Sequence, residues 1–252
     1  MARWAKVLEA FTKQDRWGVR ELATALSVAP SVSHRILHEM NRLGLVVPAQ
    51  EEGKFRVGPE LARIAVLTSR RSNNVATIAR PVLQAAAGAI GETVILLQYS
   101  NHRRQFWAVD AVESSHTIRY VWESLQEWND VHVGSSGKSI LAFLPEAERE
   151  AIIAALPDPI PAVIPMTKAQ LREDLEETRA RGYAVSHGER YAGAVGIAAP
   201  IYEAGGRIIG GLVASWPDNR TDPVKERRTA EIIVEAAARL SHDLGYRPED
   251  SS

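Results

Sequence analysis

The sequence predicts an α+β chain in two parts. A winged helix-turn-helix comes first, and a larger domain built on an antiparallel sheet flanked by helices comes second, with a linker helix between them. Three observations carry this. Residues Arg20 to Gly44 read as two short amphipathic helices joined by a tight turn. Two strand-like runs follow at once, between Leu45 and Val57, where a wing belongs. Beyond Gly91 the strands are grouped, without the regular alternation with helices that a parallel βαβ sheet needs. The expected boundaries are 1–58 for the winged domain, 59–74 for the linker helix and 75–252 for the second domain.

In the head, Trp4, Val7, Leu8 and Phe11 recur at helical spacing and predict a first helix with one buried face. Gly18 breaks the chain, Leu22, Ala23 and Leu26 point inward from a second helix, and Ser27-Val28 turns. Pro30 suits the first turn of the third helix, where a missing N–H costs nothing. On a helical wheel Val32, Ile36, Met40 and Leu43 make an apolar stripe with Leu37 at its border. Ser31, His34, His38, Asn41 and Arg42 lie opposite, with Arg35 on the flank. A buried stripe backed by a polar, cationic face is what a DNA major groove accepts. Ser31, His34 and His38 are therefore candidates to face base edges, and Ser33 is a further DNA-binding candidate. Arg35, Arg42 and Arg20 are candidates for phosphate, as are Lys54 and Arg56 on one face of the hairpin.

Pro59 opens the linker helix, whose apolar Leu61, Ile64, Ala65 and Leu67 could pair with a second copy, and the boundary is expected near Ser72-Asn73-Asn74. The second domain is expected to begin with a helix from Val75 to Ala89, then strands at Thr93–Tyr99, Gln105–Val112 and near Thr117–Val121. A loop over Glu123–Val133, helices at Gly137–Leu144 and from Pro145-Glu146 to Leu156, and the Pro-rich stretch PDPIPAVIP come next. A helix at Lys168–Arg181 stopped by Gly182, strands at Tyr183–Ser186, Ala194–Ile201 and Arg207–Ala214, and a helix over Val224–Leu244 complete it.

The net charge of −1 hides an asymmetry, because residues 1–75 carry +5 and the remainder −6. A basic head on an acidic body points to a polyanion meeting the head alone. There are no cysteines, so disulfides and thiolate metal sites are excluded. No apolar run approaches the ~20 residues of a membrane span, and the N-terminus is too amphipathic for a signal peptide, which makes the cytoplasm the expected compartment.

Gly137-Lys138-Ser139 invites a phosphate-loop reading, but that loop needs a glycine where His132 stands. Gly137 suits close packing at a helix start, and a helix N-terminus can hold a carboxylate without hydrolysing anything. Ser135-x-x-Lys138 matches a serine-nucleophile pattern, yet its companion motifs are missing. His34 and His38 have metal-ligand spacing without a third ligand, and Trp107, Trp122 and Trp128 read as core or interface residues. No metal or cofactor is expected.

The chain resembles the IclR family of bacterial transcriptional regulators over nearly its whole length. SVSHRILHEMNRLGLV and FRVGPELARIA carry the resemblance in the head. IARPVLQ, GETVILLQ, VGSSGKSILAFLP, LEETRARGYAV, GIAAPIYEAGGRIIGGLVAS and AARLSHDLG carry it in the body, in order and at the right spacing. The resemblance implies a GAF-like effector-binding domain, a homodimer or dimer of dimers on an inverted-repeat operator in double-stranded DNA, and a small organic or aromatic acid as effector. It implies pocket contacts from Ser135, Ser136 and Gly137, from Ser186, Ala194 and Gly196, and from Val213 and Ser215.

Departures from the family pattern are Val32 where a threonine is usual, His34 where an aromatic is common, and Gly188-Glu189 in place of paired acids. Gly196 replaces a frequent cysteine and Val213 a serine, which predicts a roomier, less polar pocket and a ligand bulkier than glyoxylate or pyruvate. Two rivals stay open at this level: a serine-lysine hydrolase using Ser135 and Lys138, and a sensor module working through a protein partner.

Overall fold

A computed structural model describes residues 2–71, 75–120 and 127–247. The chain forms two compact units, Met1–Asn74 and Val75–Ser252. The expected junction at Ser72–Asn74 lies outside the described residues, as do Val121, Trp122 and residues 123–126 of the expected loop.

The first unit contains helices α1 (Ala2–Lys13), α2 (Val19–Ala25), α3 (Pro30–Arg42) and α4 (Pro59–Arg71). Val7, Phe11, Leu22, Ile36, Leu37, Met40 and Val46 close one apolar core between the first three helices and the wing. Ser27 takes a left-handed φ of 52°, which lets the α2–α3 turn reverse in so few residues. The wing has one strand more than expected. Strands β2 (Val46–Pro48) and β3 (Lys54–Val57) pair antiparallel, and β1 (Arg16–Gly18) adds to the other edge of β3. Three residues are too few for an alternation pattern, so β1 has no signature of its own in the sequence. At the foot of the wing, a Cβ on Gly58 would overlap the carbonyl of Gly44, so only glycine lets these two turns touch.

The second unit is a six-stranded antiparallel sheet in the order β6-β5-β4-β9-β8-β7. Its strands are β4 (Thr93–Ser100), β5 (Gln105–Val112), β6 (Asn129–Asp130), β7 (Ala184–His187), β8 (Ala194–Tyr202) and β9 (Ile208–Pro217). Side chains alternate across it. On β4, Val94 and Leu96 join one core, under α5 (Val75–Ile90) and α9 (Pro223–Asp243). Ile95, Leu97 and Tyr99 join the other, under α6 (Gly134–Leu141), α7 (Glu146–Ala155) and α8 (Lys168–Arg181). Both faces are covered, so the central strands read as apolar runs.

Two expectations need correction. Residues 117–120 form no strand, and the sixth strand is instead the two-residue β6. Helix α6 starts at Gly134 and not at Gly137, which places Ser135 and Ser136 inside its first turn. Periodicity missed this because all eight residues of α6 are buried, and a helix buried all round has no amphipathic pattern.

Candidate functional site

On α3 the buried residues are Ser33, Ile36, Leu37 and Met40. The buried face is turned by roughly 50° from the stripe read on the wheel, at 3.6 residues per turn. Leu43 is 57% exposed, although its spacing placed it inside. Ser33 is fully buried with no partner for its hydroxyl, so it is not on the outer surface and cannot face a base edge. The line most opposed to the core is Ser31, Arg35, His38 and Arg42, all exposed, which moves Arg35 from the flank to the centre. His34 is exposed beside it and stacks on His38, with ring centroids 6.2 Å apart.

Arg20 is exposed near the start of α2. Arg56 is exposed on the middle strand of the wing, directly opposite Arg16 of β1. Arg16 escaped sequence reasoning because only the β1–β3 pairing brings it there. Lys54 differs from expectation: its ammonium lies 2.9 Å from Glu51 and 3.5 Å from Glu21. A phosphate contact would have to displace those carboxylates.

In the second unit the residues expected to bind a ligand do converge, with one exception. Ser135 and Ser136 from α6, Ser186 from β7, Ala194 and Gly196 from β8, and Val213 and Ser215 from β9 line one pocket. Gly137 does not. A Cβ there would lie 2.6 Å from the Val131 carbonyl, so this glycine serves close packing of α6 against the turn that follows β6. The pocket is not roomy, and its lining mixes four serines with apolar side chains such as Ile95, Val195 and Val213. Its cavity volume is about 30 Å³, and the pocket is partly open to solvent. The space freed at Gly196 is taken by Ser135, whose hydroxyl would overlap a Cβ at position 196.

Tyr120, Glu189 and Arg190 also line it, with Ile95, Tyr191 and Val195. The Arg190 guanidinium donates to Asn129 Oδ1 at 3.0 Å, to the Asp130 carbonyl at 3.0 Å and to the Val133 carbonyl at 2.6 Å. Its Nε–H is buried beside Gly134 without a partner among the described residues. Burial pushes this guanidinium below its ordinary value, but arginine stays charged in proteins. Glu189 accepts from the Gly134 N–H at 3.1 Å and so caps α6. Its other oxygen meets Lys138 Nζ at 2.6 Å. Lys138, 1% exposed, also donates to Asp174 and to the Val185 carbonyl. All three of its N–H donors are thereby engaged, which leaves no lone pair to take a proton from Ser135.

The comparisons with known proteins agree with this anatomy. Residues 2–49 match the model described as IclR helix-turn-helix domain, and residues 67–242 the one described as bacterial transcriptional regulator IclR C-terminal. The HTH-type transcriptional regulator BhcR of Paracoccus denitrificans is 29% identical over 96% of this chain and 86% of its own. The acetate operon repressor of Salmonella typhimurium is 25% identical over 97% of this chain and 89% of its own. The crystal structure of an IclR homologue from Microbacterium hydrocarbonoxydans, complexed with 4-hydroxybenzoate, superposes with a TM-score of 0.81. That structure is 25% identical and covers 97% of this chain and 98% of its own. With both family models matched in order along one chain, the protein belongs to the IclR family of bacterial transcriptional regulators.

Proposed function

We propose that this protein regulates transcription without catalysis, as a dimer whose DNA-binding heads respond to a short-chain hydroxy- or oxo-carboxylic acid held at the N-terminus of α6. One observation carries the ligand class. The pocket is small and carries four serine hydroxyls, and it contains a buried cationic donor, Arg190 Nε, with no partner among the described residues. An unpaired buried donor costs free energy that an acceptor in the pocket recovers. A carboxylate accepts from Arg190 and a neighbouring oxygen from the serine hydroxyls. The ligand acts on DNA binding only as far as it prefers one arrangement of the heads.

In the head, Ser31, Arg35 and His38 are the residues for base edges, with His34 alongside them. Arg20, Arg42, Arg56 and Arg16 meet phosphates. Arg35 takes a larger role than its sequence position implied, because it stands on the outermost line of α3. A second reading of the ligand, an aromatic acid, has one support: a relative of the same fold binds 4-hydroxybenzoate.

The test is a gel-shift with purified protein on DNA upstream of its own gene, in excess non-specific competitor, followed by a panel of two- to four-carbon acids and 4-hydroxybenzoate. A specific shift altered by a short acid, and lost on Gly196→Ala, supports the proposal, since a methyl at 196 displaces Ser135. Response to 4-hydroxybenzoate alone favours the second reading. No specific shift under any condition returns the protein-partner reading.

A further inference from the structure

Helix α6 has a cavity at each end. The pocket above lies at its N-terminus, by the end of the sheet where Thr93 faces Ser215 on the neighbouring strand. At the other end of the same strands, where Gln98 faces Gly210 and Tyr202 faces Ile208, a second cavity opens beside the C-terminal end of α6. Its volume is about 890 Å³, against about 30 Å³ for the first. Ligand sites commonly span ~300–1,000 Å³, so this cavity is of small-molecule size. None of the residues assigned to the regulator's pocket reaches it.

Its lining has a definite chemistry. Tyr202 and Tyr246 stack with ring centroids 4.9 Å apart, and Phe143 and Tyr99 add two further rings. Burial pushes the Tyr202 phenol up to about 12, and burial together with Glu148 pushes Tyr99 higher still. Both phenols therefore stay neutral, and their rings present unchanged quadrupoles. Around the rings stand Glu146 and Glu148 from the first turn of α7, the latter accepting from Tyr99 at 2.7 Å. Glu203 is neutralised by Arg207 at the rim, leaving Arg179 as the cation of the lining without a carboxylate partner among the described residues. Ring faces and the carboxylates of Glu146 and Glu148 favour a cation, against the opposing charge of Arg179 and the positive pole at the start of α7.

We propose that this second cavity binds an organic cation, a protonated or quaternary amine on a hydrophobic body, independently of the acid-binding pocket at the other end of α6.

Calorimetric titration of the full chain tests this, using benzyltrimethylammonium as cation, benzoate as anion and benzyl alcohol as neutral probe, each with one phenyl ring. Benzyltrimethylammonium is expected to saturate one site per chain. Tyr202→Leu and Glu148→Gln are each expected to weaken it about tenfold. Arg179→Glu is expected to tighten it several-fold, and this variant keeps the test open if Tyr202→Leu folds poorly. Ser215→Val, in the first pocket, is expected to leave it unchanged. Benzoate or benzyl alcohol binding as tightly as the cation, no saturable binding, or binding that ignores both Glu148→Gln and Arg179→Glu overturns the proposal.

Discussion

Ser33 shows how far one residue can depart from its sequence reading. A serine early in a recognition helix, one residue before a histidine and two before an arginine, reads as part of a polar surface. In the fold it is wholly buried among Ile36, Leu37 and Met40, with its hydroxyl unsatisfied. A buried hydroxyl without a partner costs free energy, and removing it is neutral or better. Ser33→Ala is therefore expected to raise unfolding free energy by about 0.5–2 kcal/mol in urea titrations. It should leave operator affinity unchanged; a loss of DNA binding at unchanged stability would restore Ser33 to the interface. Gly196 teaches the converse. Its missing side chain implied an enlarged pocket, but Ser135 fills the gap, and no reading of position 196 alone could say so.

At the scale of elements, the strands and helices were mostly legible. β3 and β5 run as expected, and α8 ends at Gly182, which takes the left-handed φ of 84° that makes glycine a helix stop. The failures have physical causes: β1 is too short to show alternation, and α6 too deeply buried to show a face. A polar cluster that sequence reading passed over ties several elements together. Glu92, before β4, takes a two-pronged bond from Arg220 at 2.9 and 2.6 Å and another from Lys225 at 2.6 Å.

Burial alone would raise the Glu92 carboxyl, but the hydrogen bonds and charges of Arg220 and Lys225 outweigh it and hold the group below its ordinary value of 4.5. A depressed folded value means that the contribution to stability is complete above the unfolded value and is lost as pH falls through the folded one. Glu92→Gln is expected to cost about 1–3 kcal/mol near pH 7, allowing for the partly exposed partners. That cost should shrink as unfolding is measured below about pH 4.5, whereas a constant difference between the two proteins down to pH 2 would contradict the account. On α3, Arg35→Ala should lower operator affinity by about 1–3 kcal/mol and relax preference at one base position, read by binding to a set of single-base operator variants. Equal loss on every variant would return Arg35 to a phosphate role.

For the whole molecule, the charge division between a head at +5 and a body at −6 assigns the polyanion to one unit and the small ligand to the other. The two binding events should respond differently to salt. Operator affinity is expected to fall steeply between about 50 and 200 mM salt, by roughly 10³ or more if six or more phosphates are met. Affinity of the pocket in the second unit for the short acid proposed as its ligand should change far less, because the Arg190 donor there is buried. Parallel salt dependences in anisotropy and calorimetry would argue that the ligand also binds on the exposed basic face. The amino-acid sequence by itself determined the class of each part, the order of nearly all elements and the family, because periodicity, glycine stops and motif spacing are local properties. Only the tertiary structure decided which face of α3 is outermost, that Lys54 is captured by Glu51 and Glu21, and how small the pocket is. Those properties depend on what remote residues place against a side chain, and packing volume and ion pairing across elements leave no trace in local spacing.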